Sequence, residues 1–209
     1  MRRRPGGSVG EESEPEDMSD YAVIADVSET LLKLLRERLA GLVASDHVTL
    51  VSPAEIELDT SPWLAMYLYQ VAENPHLKTQ EPARIDALTL QHPPVTLDLS
   101  YLAVPYAQTR ENEHQILGRV IQILGSDAVL QGPLLQGSLA GTADALRVTL
   151  HSLPMEEMLR LWGGFYSKPF KLSLSYQVSP VRVDRALPAM GVQPVVERVL
   201  RVGGDHGSG

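Results

Sequence analysis

The chain has 209 residues, no cysteine and a net charge of −8. Its length suits one domain with a sizeable core. The lack of cysteine excludes disulfides, thiolate metal sites and a cysteine nucleophile, and it suits a cytoplasmic protein. The acidic balance disfavours nucleic-acid binding, which relies on clustered Lys and Arg. No apolar run reaches the ~18 residues of a spanning helix, so direct membrane insertion is not expected.

Three amphipathic stretches predict helices. In DVSETLLKLLRERLAGL, residues 26–42, the leucines recur at helical spacing, and Asp26 with Glu29 has the spacing of a capping box. RENEHQILGRVIQILGS, residues 110–126, predicts a second amphipathic helix. LPMEEMLRLWGGF, residues 153–165, predicts a short third helix between a proline and two glycines.

Strands are predicted where apolar residues alternate or run together. WLAMYLYQVAENPHLK, residues 63–78, is apolar on both alternating faces, which indicates a central strand that is covered on two sides and ends near Pro75. The other predicted strands are HVTLVSP, VTLDLSYLAVPYA, ALRVTLHSL and FKLSLSYQVSPVRVD. The polar stretch 76–94 predicts a long loop. The fold class expected is α+β, with a mixed or antiparallel sheet packed against two to three helices.

Two carboxylate–histidine pairs have spacings that could serve chemistry. Glu73 and His76 follow the predicted strand and are better explained as exposed turn residues. Glu111 and His114 have an i, i+3 spacing that di-metal carboxylate bundles also use, but the chain has no second copy of the motif, so a solvated helix face is favoured. Asp98 would pair with Glu73 only in an unusual fold. We therefore expect no catalytic residue, cofactor or metal site.

Six stretches, taken in order, resemble a known family. They are DYAVIADVSETLLKLLRERL, MYLYQVAENPHLK, LDLSYLAVPYA, EHQILGRVIQIL, GPLLQGSL and SYQVSPVRVD. Together they resemble the N-terminal domain of the cap, or tube-terminator, proteins of phage-tail-like contractile injection systems of the antifeeding prophage and Photorhabdus virulence cassette type. The resemblance spans residues 20–184.

The resemblance implies a structural protein without catalytic residues, cofactor or small-molecule substrate. Family members form a six-membered ring at the end of the particle distal to the baseplate, where they stop the inner tube and bind the last sheath layer. A homo-hexamer with the inner tube protein and the sheath protein as partners is therefore expected, located in the cytoplasm at the distal end of the particle. Two alternatives stay open: a stand-alone α+β ligand-binding or enzyme domain, and an adaptor that anchors the particle.

The predicted domain plan has four parts. Residues 1–19 have the Gly, Ser, Glu, Asp and Pro content of a disordered acidic tail, residues 20–184 form the cap domain, and residues 203–209 form a flexible tail. Residues 185–202 are a linker and a C-terminal strand that either pairs within its own domain or adds to a sheet edge of a neighbouring subunit or sheath protein. The apolar residues of that candidate binding strand are Val195, Val196, Val199 and Leu200.

Overall fold

The computed structural model describes residues 20–57, 61–77, 83–84, 89–91, 93–166, 168–184 and 190–191. Within these ranges the helices are α1 (Val23–Arg38), α2 (Arg110–Ser126) and α3 (Met155–Gly163). The strands are β1 (Val48–Leu50), β2 (Trp63–Glu73), β3 (Ala83–Arg84), β4 (Thr89–Gln91), β5 (Val95–Tyr106), β6 (Val129–Gln131), β7 (Ala145–His151), β8 (Leu174–Val183) and β9 (Met190–Gly191).

Six of these strands form one mixed sheet in the order β1-β2-β5-β8-β7-β6. Strand β1 runs parallel to β2, and every other neighbouring pair in this sheet is antiparallel. The short strands β3, β4 and β9 form a separate three-stranded sheet. The predicted α+β class, with a mixed sheet and three helices, is confirmed.

The long strands β2 and β5 are covered on both faces, which the apolar run that begins at Trp63 predicts for β2 alone. Leu64 and Met66 lie in a core cluster with α1 and α2, whereas Ala65 lies in a second cluster with Trp162 and Phe165 from and just after α3. Strand β5 divides in the same way, since Tyr101 and Leu102 belong to different clusters. Two layers of helix therefore enclose the centre of the sheet.

A β-bulge corrects the predicted facing of Val71. Alternation from Trp63 places Val71 with Tyr67 and Tyr69, but the pairing of β2 with β5 shifts between Leu68 and Gln70. The extra residue reverses the alternation beyond it, so Val71 pairs with Leu99 of the α1/α2 cluster. Sequence alternation alone does not reveal such an insertion.

The predicted polar loop at 76–94 is partly wrong, because β3 and β4 lie within it and pair antiparallel. Strand β4 also pairs with β9, with Leu90 opposite Met190. Strand β6 was not predicted either. A strand of two or three residues has too few alternating positions to show a hydrophobic pattern in the sequence.

Helix α1 begins earlier than predicted, and the expected capping box is absent. The helix starts at Val23, so Asp26 lies inside its first turn. The Asp26 carboxylate instead accepts hydrogen bonds from the backbone N–H and the Oγ of Ser138, at 2.9 and 2.5 Å. The local pattern predicts Asp26 as a helix cap, but its carboxylate bonds to a residue 112 positions later in the chain.

The Asp26 contact is one of three that fix the segment after β6 to α1. The backbone N–H of Gln136 donates to Thr30 Oγ1 at 3.1 Å, and Lys33 Nζ donates to Gln136 Oε1 at 3.2 Å. Asp26, Thr30 and Lys33 lie at i, i+4 and i+7, which places them along one side of the helix. The segment GPLLQGSL is therefore held against a polar row of α1.

Gly137 is required where this segment passes Asp26. Its φ is +59°, a left-handed conformation that side chains rarely adopt, and an added Cβ would fall well inside van der Waals contact with Asp26 Oδ1. Gly132 has the same φ of +59°, yet a Cβ there would meet no atom within 4 Å. A side chain at either position would therefore have the strain of a positive φ, but only at Gly137 would its Cβ also clash with a neighbouring atom.

We predict that Gly137→Ala destabilises the protein more than Gly132→Ala. The positive φ alone costs about 1–2 kcal/mol in each variant, and the clash with Asp26 adds a further ~1–3 kcal/mol at position 137. Urea unfolding followed by circular dichroism measures both free energies of unfolding. Equal losses in the two variants would show that the Asp26 contact does not constrain this turn.

Candidate interaction surfaces

The two edges of the six-stranded sheet differ in whether their backbone groups are already bonded. At the β1 edge, Arg36 Nε of α1 donates a hydrogen bond of 3.1 Å to the carbonyl oxygen of Val48. The same guanidinium pairs with Glu29 through Nη1 at 3.0 Å. A side chain of α1 therefore obstructs this edge, which is one way in which proteins limit edge-to-edge pairing.

At the β6 edge most of the outward backbone groups are free within the described part of the chain. Val148 N donates to Ala128 O at 2.8 Å, which makes this a hydrogen-bonded antiparallel pair. Because such pairs alternate, Leu130 also bonds inward to Leu146, whereas the N–H and C=O groups of Val129 and Gln131 point away from β7. The Gln131 carbonyl begins the 3₁₀ helix Gly132–Leu134, and no hydrogen bond in the described part of the chain reaches the other three groups.

An open groove of about 580 Å³ runs along this free edge. It is lined by two residues of β6, the three residues that follow β6 and the three residues that precede β7: Val129, Gln131, Gly132, Pro133, Leu134, Thr142, Ala143 and Asp144. Asp144 accepts a hydrogen bond from Thr142 Oγ1 at 3.0 Å and pairs with Arg182 Nη1 at 3.2 Å. The groove thus has a backbone edge, some apolar wall and one carboxylate.

The end of β2 is organised by Asn74, a residue that the sequence analysis passed over. Asn74 Oδ1 accepts from the backbone N–H groups of His76 and Leu77, at 2.9 and 3.1 Å, which turns the chain after the strand. Its Nδ2 donates to Asp98 Oδ1 at 2.8 Å, and Ser179 Oγ donates to the same oxygen. This buried cluster ties three strands together at one end of the sheet.

The predicted structural role of Glu73 and His76 is confirmed, since both are exposed where β2 ends. Glu73 pairs with Leu97, and Ala72 pairs with Asp98, so Glu73 and Asp98 face opposite sides of the sheet. The two carboxylates are therefore not brought together. The idea of a paired-carboxylate site at these residues is wrong.

Glu111 and His114 lie exposed on α2. Within the described ranges no group of three or more His, Asp or Glu residues is placed to hold a metal ion. Across the same described residues, none of the helices is both long enough and apolar enough to cross a bilayer.

The strand tyrosines have core or sheet-face roles. Tyr101 is fully buried, its hydroxyl lies 2.8 Å from Ser28 Oγ, and burial raises the pKa of Tyr101 to about 12. Tyr69 meets Ser175 Oγ at 2.8 Å, and the ring of Tyr67 packs edge-on against Phe165. Tyr101 and Tyr67 thus connect the sheet to the layers on its two faces, and Tyr69 joins β2 to β8.

A buried ionic cluster joins the start of α2 to the chain before β8. Glu113 accepts hydrogen bonds from Lys171 Nζ and, at 2.8 Å, from Arg110 Nη1. Lys171 Nζ also lies 4.8 Å from the centre of the Tyr106 ring. Burial raises the pKa of Glu113, but the hydrogen bonds and charges of Lys171 and Arg110 outweigh it and bring that pKa below its usual value.

Residues 26–197 match the family model of the Pvc16 N-terminal domain. The chain belongs to this family. The predicted resemblance to cap and tube-terminator proteins is therefore confirmed. No curated protein sequence matches the chain.

Two solved structures share the fold. One is the PVC sheath/tube terminator of an extracellular contractile injection system in the extended state, with a TM-score of 0.60 and 19% identity over 89% of this chain and 65% of that one. The other is the anti-feeding prophage cap, a tube terminating cap, with a TM-score of 0.54 and 19% identity over 83% of this chain and 59% of that one. The chain spans less than two thirds of the length of either. Both are structural cap or terminator proteins, and at this identity they establish the fold.

We predict that Glu113→Gln destabilises the folded protein at neutral pH by up to ~3–5 kcal/mol, because it leaves the largely buried Lys171 without its charge partner. The pKa of Glu113 is lower in the folded state, so its stabilisation is present above the unfolded value near 4.5 and is lost as the pH falls through the folded value. The difference between wild type and variant should therefore shrink in acid.

Urea unfolding of both proteins between pH 3 and pH 7 measures this difference. Glu111→Gln, an exposed carboxylate on the same helix, is the matched control and should change stability by less than ~0.5 kcal/mol. A constant gap between wild type and Glu113→Gln across the pH range would contradict the assigned role.

Proposed function

We propose that this chain is the terminator of a contractile injection particle. Six copies form a ring at the distal end, stop growth of the inner tube and bind the last sheath layer in the cytoplasm. The observation that carries the proposal is the shared fold with a sheath/tube terminator over 89% of the chain. Membership of the Pvc16 N-terminal domain family, which rests on the sequence, also supports it.

The physical logic of a terminator is asymmetry. A stacked tube is a repeating head-to-tail assembly, and it grows as long as each new ring offers the docking surface that the last ring offered. A subunit that matches the tube on one side and differs on the other ends the series. The inner tube protein and the sheath protein are thus the proposed partners, with no nucleic acid and no small-molecule substrate.

We assign the contacts of the proposed assembly to two parts of the chain. Residues 20–184 supply the folded body, and residues 185–202 supply a linker and a partner-binding strand. Met190 and Gly191 pair with β4 of their own chain, so we assign the partner-binding strand to the residues after them. Its apolar residues Val195, Val196, Val199 and Leu200 lie outside the described residues.

The first test removes the protein from cells that assemble the particle. We expect tubes of irregular length in its absence, because nothing then ends growth, and uniform length when the wild-type chain is restored. Electron microscopy with a tagged chain should place label at the end distal to the baseplate, and native mass spectrometry should give six copies. Label along the whole particle, or no label, would refute the proposal.

The second test separates the binding arm from the rest of the C-terminus. Truncation after Gly191 keeps β9 and removes the proposed strand, whereas truncation after Val202 removes the last seven residues, 203–209. We expect the first variant to fold but lose at least ten-fold in particle-bound protein, and the second to bind as wild type. Equal binding of both variants would exclude a docking role for residues 192–202.

A further inference from the structure

We propose that the free edge of β6 receives residues 192–202 of a neighbouring copy as an added antiparallel or parallel strand. The inference rests on the proposed ring, since it names the acceptor and the donor of one contact within it. Strand addition uses backbone hydrogen bonds for affinity and side-chain pockets for specificity. Both are present along β6.

The acceptor is defined by backbone geometry. Val129 directs an N–H and a C=O outward and Gln131 directs an N–H outward, while Leu130 between them is fully buried and paired with Leu146. These three outward groups carry no hydrogen bond in the described part of the chain. An incoming strand would bond to these groups without disturbing the pairing of β6 with β7.

The groove beside the edge suits the composition of the donor. Leu134 and Pro133 supply an apolar wall, and Asp144, which pairs with Arg182 of its own chain, supplies a carboxylate whose side chain is 28% exposed. The donor sequence VQPVVERVLRV combines valines with Arg198 and Arg201. An alternating strand can place valines against the apolar wall and an arginine beside Asp144.

The opposite edge does not offer the same surface. Strand β1 has its Val48 carbonyl bonded to Arg36, and α1 lies alongside it. The two ends of one sheet are thus unequal, since the outward carbonyl of Val48 on β1 is bonded and that of Val129 on β6 is not. This contrast favours β6 over β1 as the acceptor of an added strand.

A ring explains why the donor comes from another copy. A cyclic assembly needs a heterologous contact, in which one surface of each subunit meets a different surface of the next. The C-terminal arm and the β6 edge are two such different surfaces. Residues 192–202 reach up to ~36 Å when extended, about twice the ~17 Å radius of gyration expected of a chain of this length.

The test uses the absence of cysteine from the natural sequence. Cells that assemble the particle co-express one chain carrying Gln131→Cys and a second chain carrying Cys at a single position from 195 to 201. Purified particles are oxidised and their disulfide-linked peptides are identified by mass spectrometry. Disulfides require Cα atoms within about 4.4–6.8 Å, so they report adjacent strands.

We expect a disulfide between copies, strongest at every second donor position because successive side chains of a strand face opposite sides. Thr149→Cys is the matched control: it is exposed on the same face of the sheet, one strand in from the edge, and should give at least five-fold less product. Benzoylphenylalanine in place of Gln131 should likewise crosslink to residues 192–202 of another copy.

Each other outcome counts against the inference. Particles that contain the protein but give no disulfide, equal yields from Gln131→Cys and Thr149→Cys, or a photocrosslink to sheath or tube protein would overturn the assignment of β6 and leave the terminator role standing. A link confined to a single copy, seen when both cysteines are in one chain and absent from the mixture, would assign the arm to its own domain. Absence of the protein from the particles would instead overturn the proposed function itself.

Discussion

The pairing of β2 with β5 is the constraint on which the rest of the fold depends. The two strands align from Trp63 with Tyr106 to Glu73 with Leu97, and both are apolar on both faces along much of that length. A strand of this kind is stable in water only when two layers cover it, because each uncovered face would leave large side chains solvated. Helices α1 and α2 supply one layer and α3 supplies the other.

Because both faces of its centre are covered, the sheet is left to bind other chains through the backbone groups of its edge strands. With the centre enclosed, the groups that remain unsatisfied belong to the outer strands, where a row of N–H and C=O groups invites pairing with another chain. The fold treats its two edges differently, since Arg36 bonds to β1 while β6 stays open. In the proposed ring, an unequal pair of edges would allow one contact to form and withhold the equivalent one.

The sequence was most informative where one period governs a long element. Helix α2 occupies the predicted residues 110–126, and β5 alternates as expected along most of its length. The errors lie where a distant contact overrides a local pattern. Asp26 has the spacing of a cap but bonds to Ser138, and Val71 follows the alternation of Trp63 only up to a bulge. The candidate surface at β6 was not predicted for a related reason. The three residues of β6 are too few to show a period, and an edge strand is defined only once the whole sheet has assembled.

The segment that follows β6 links the core of the subunit to this edge. Gly137 and Ser138 wrap around the Asp26 carboxylate, and Gln136 bonds to Thr30, so the chain leaving β6 is fixed to a helix whose other side packs on the central strands. The walls of the groove at Pro133 and Leu134 precede that anchor by only a few residues. A partner strand would therefore meet a surface whose conformational entropy is already lost in folding, and pre-organisation of this kind raises affinity without new contacts. The contact with Asp26 that stabilises this segment thus also fixes the position of the groove wall.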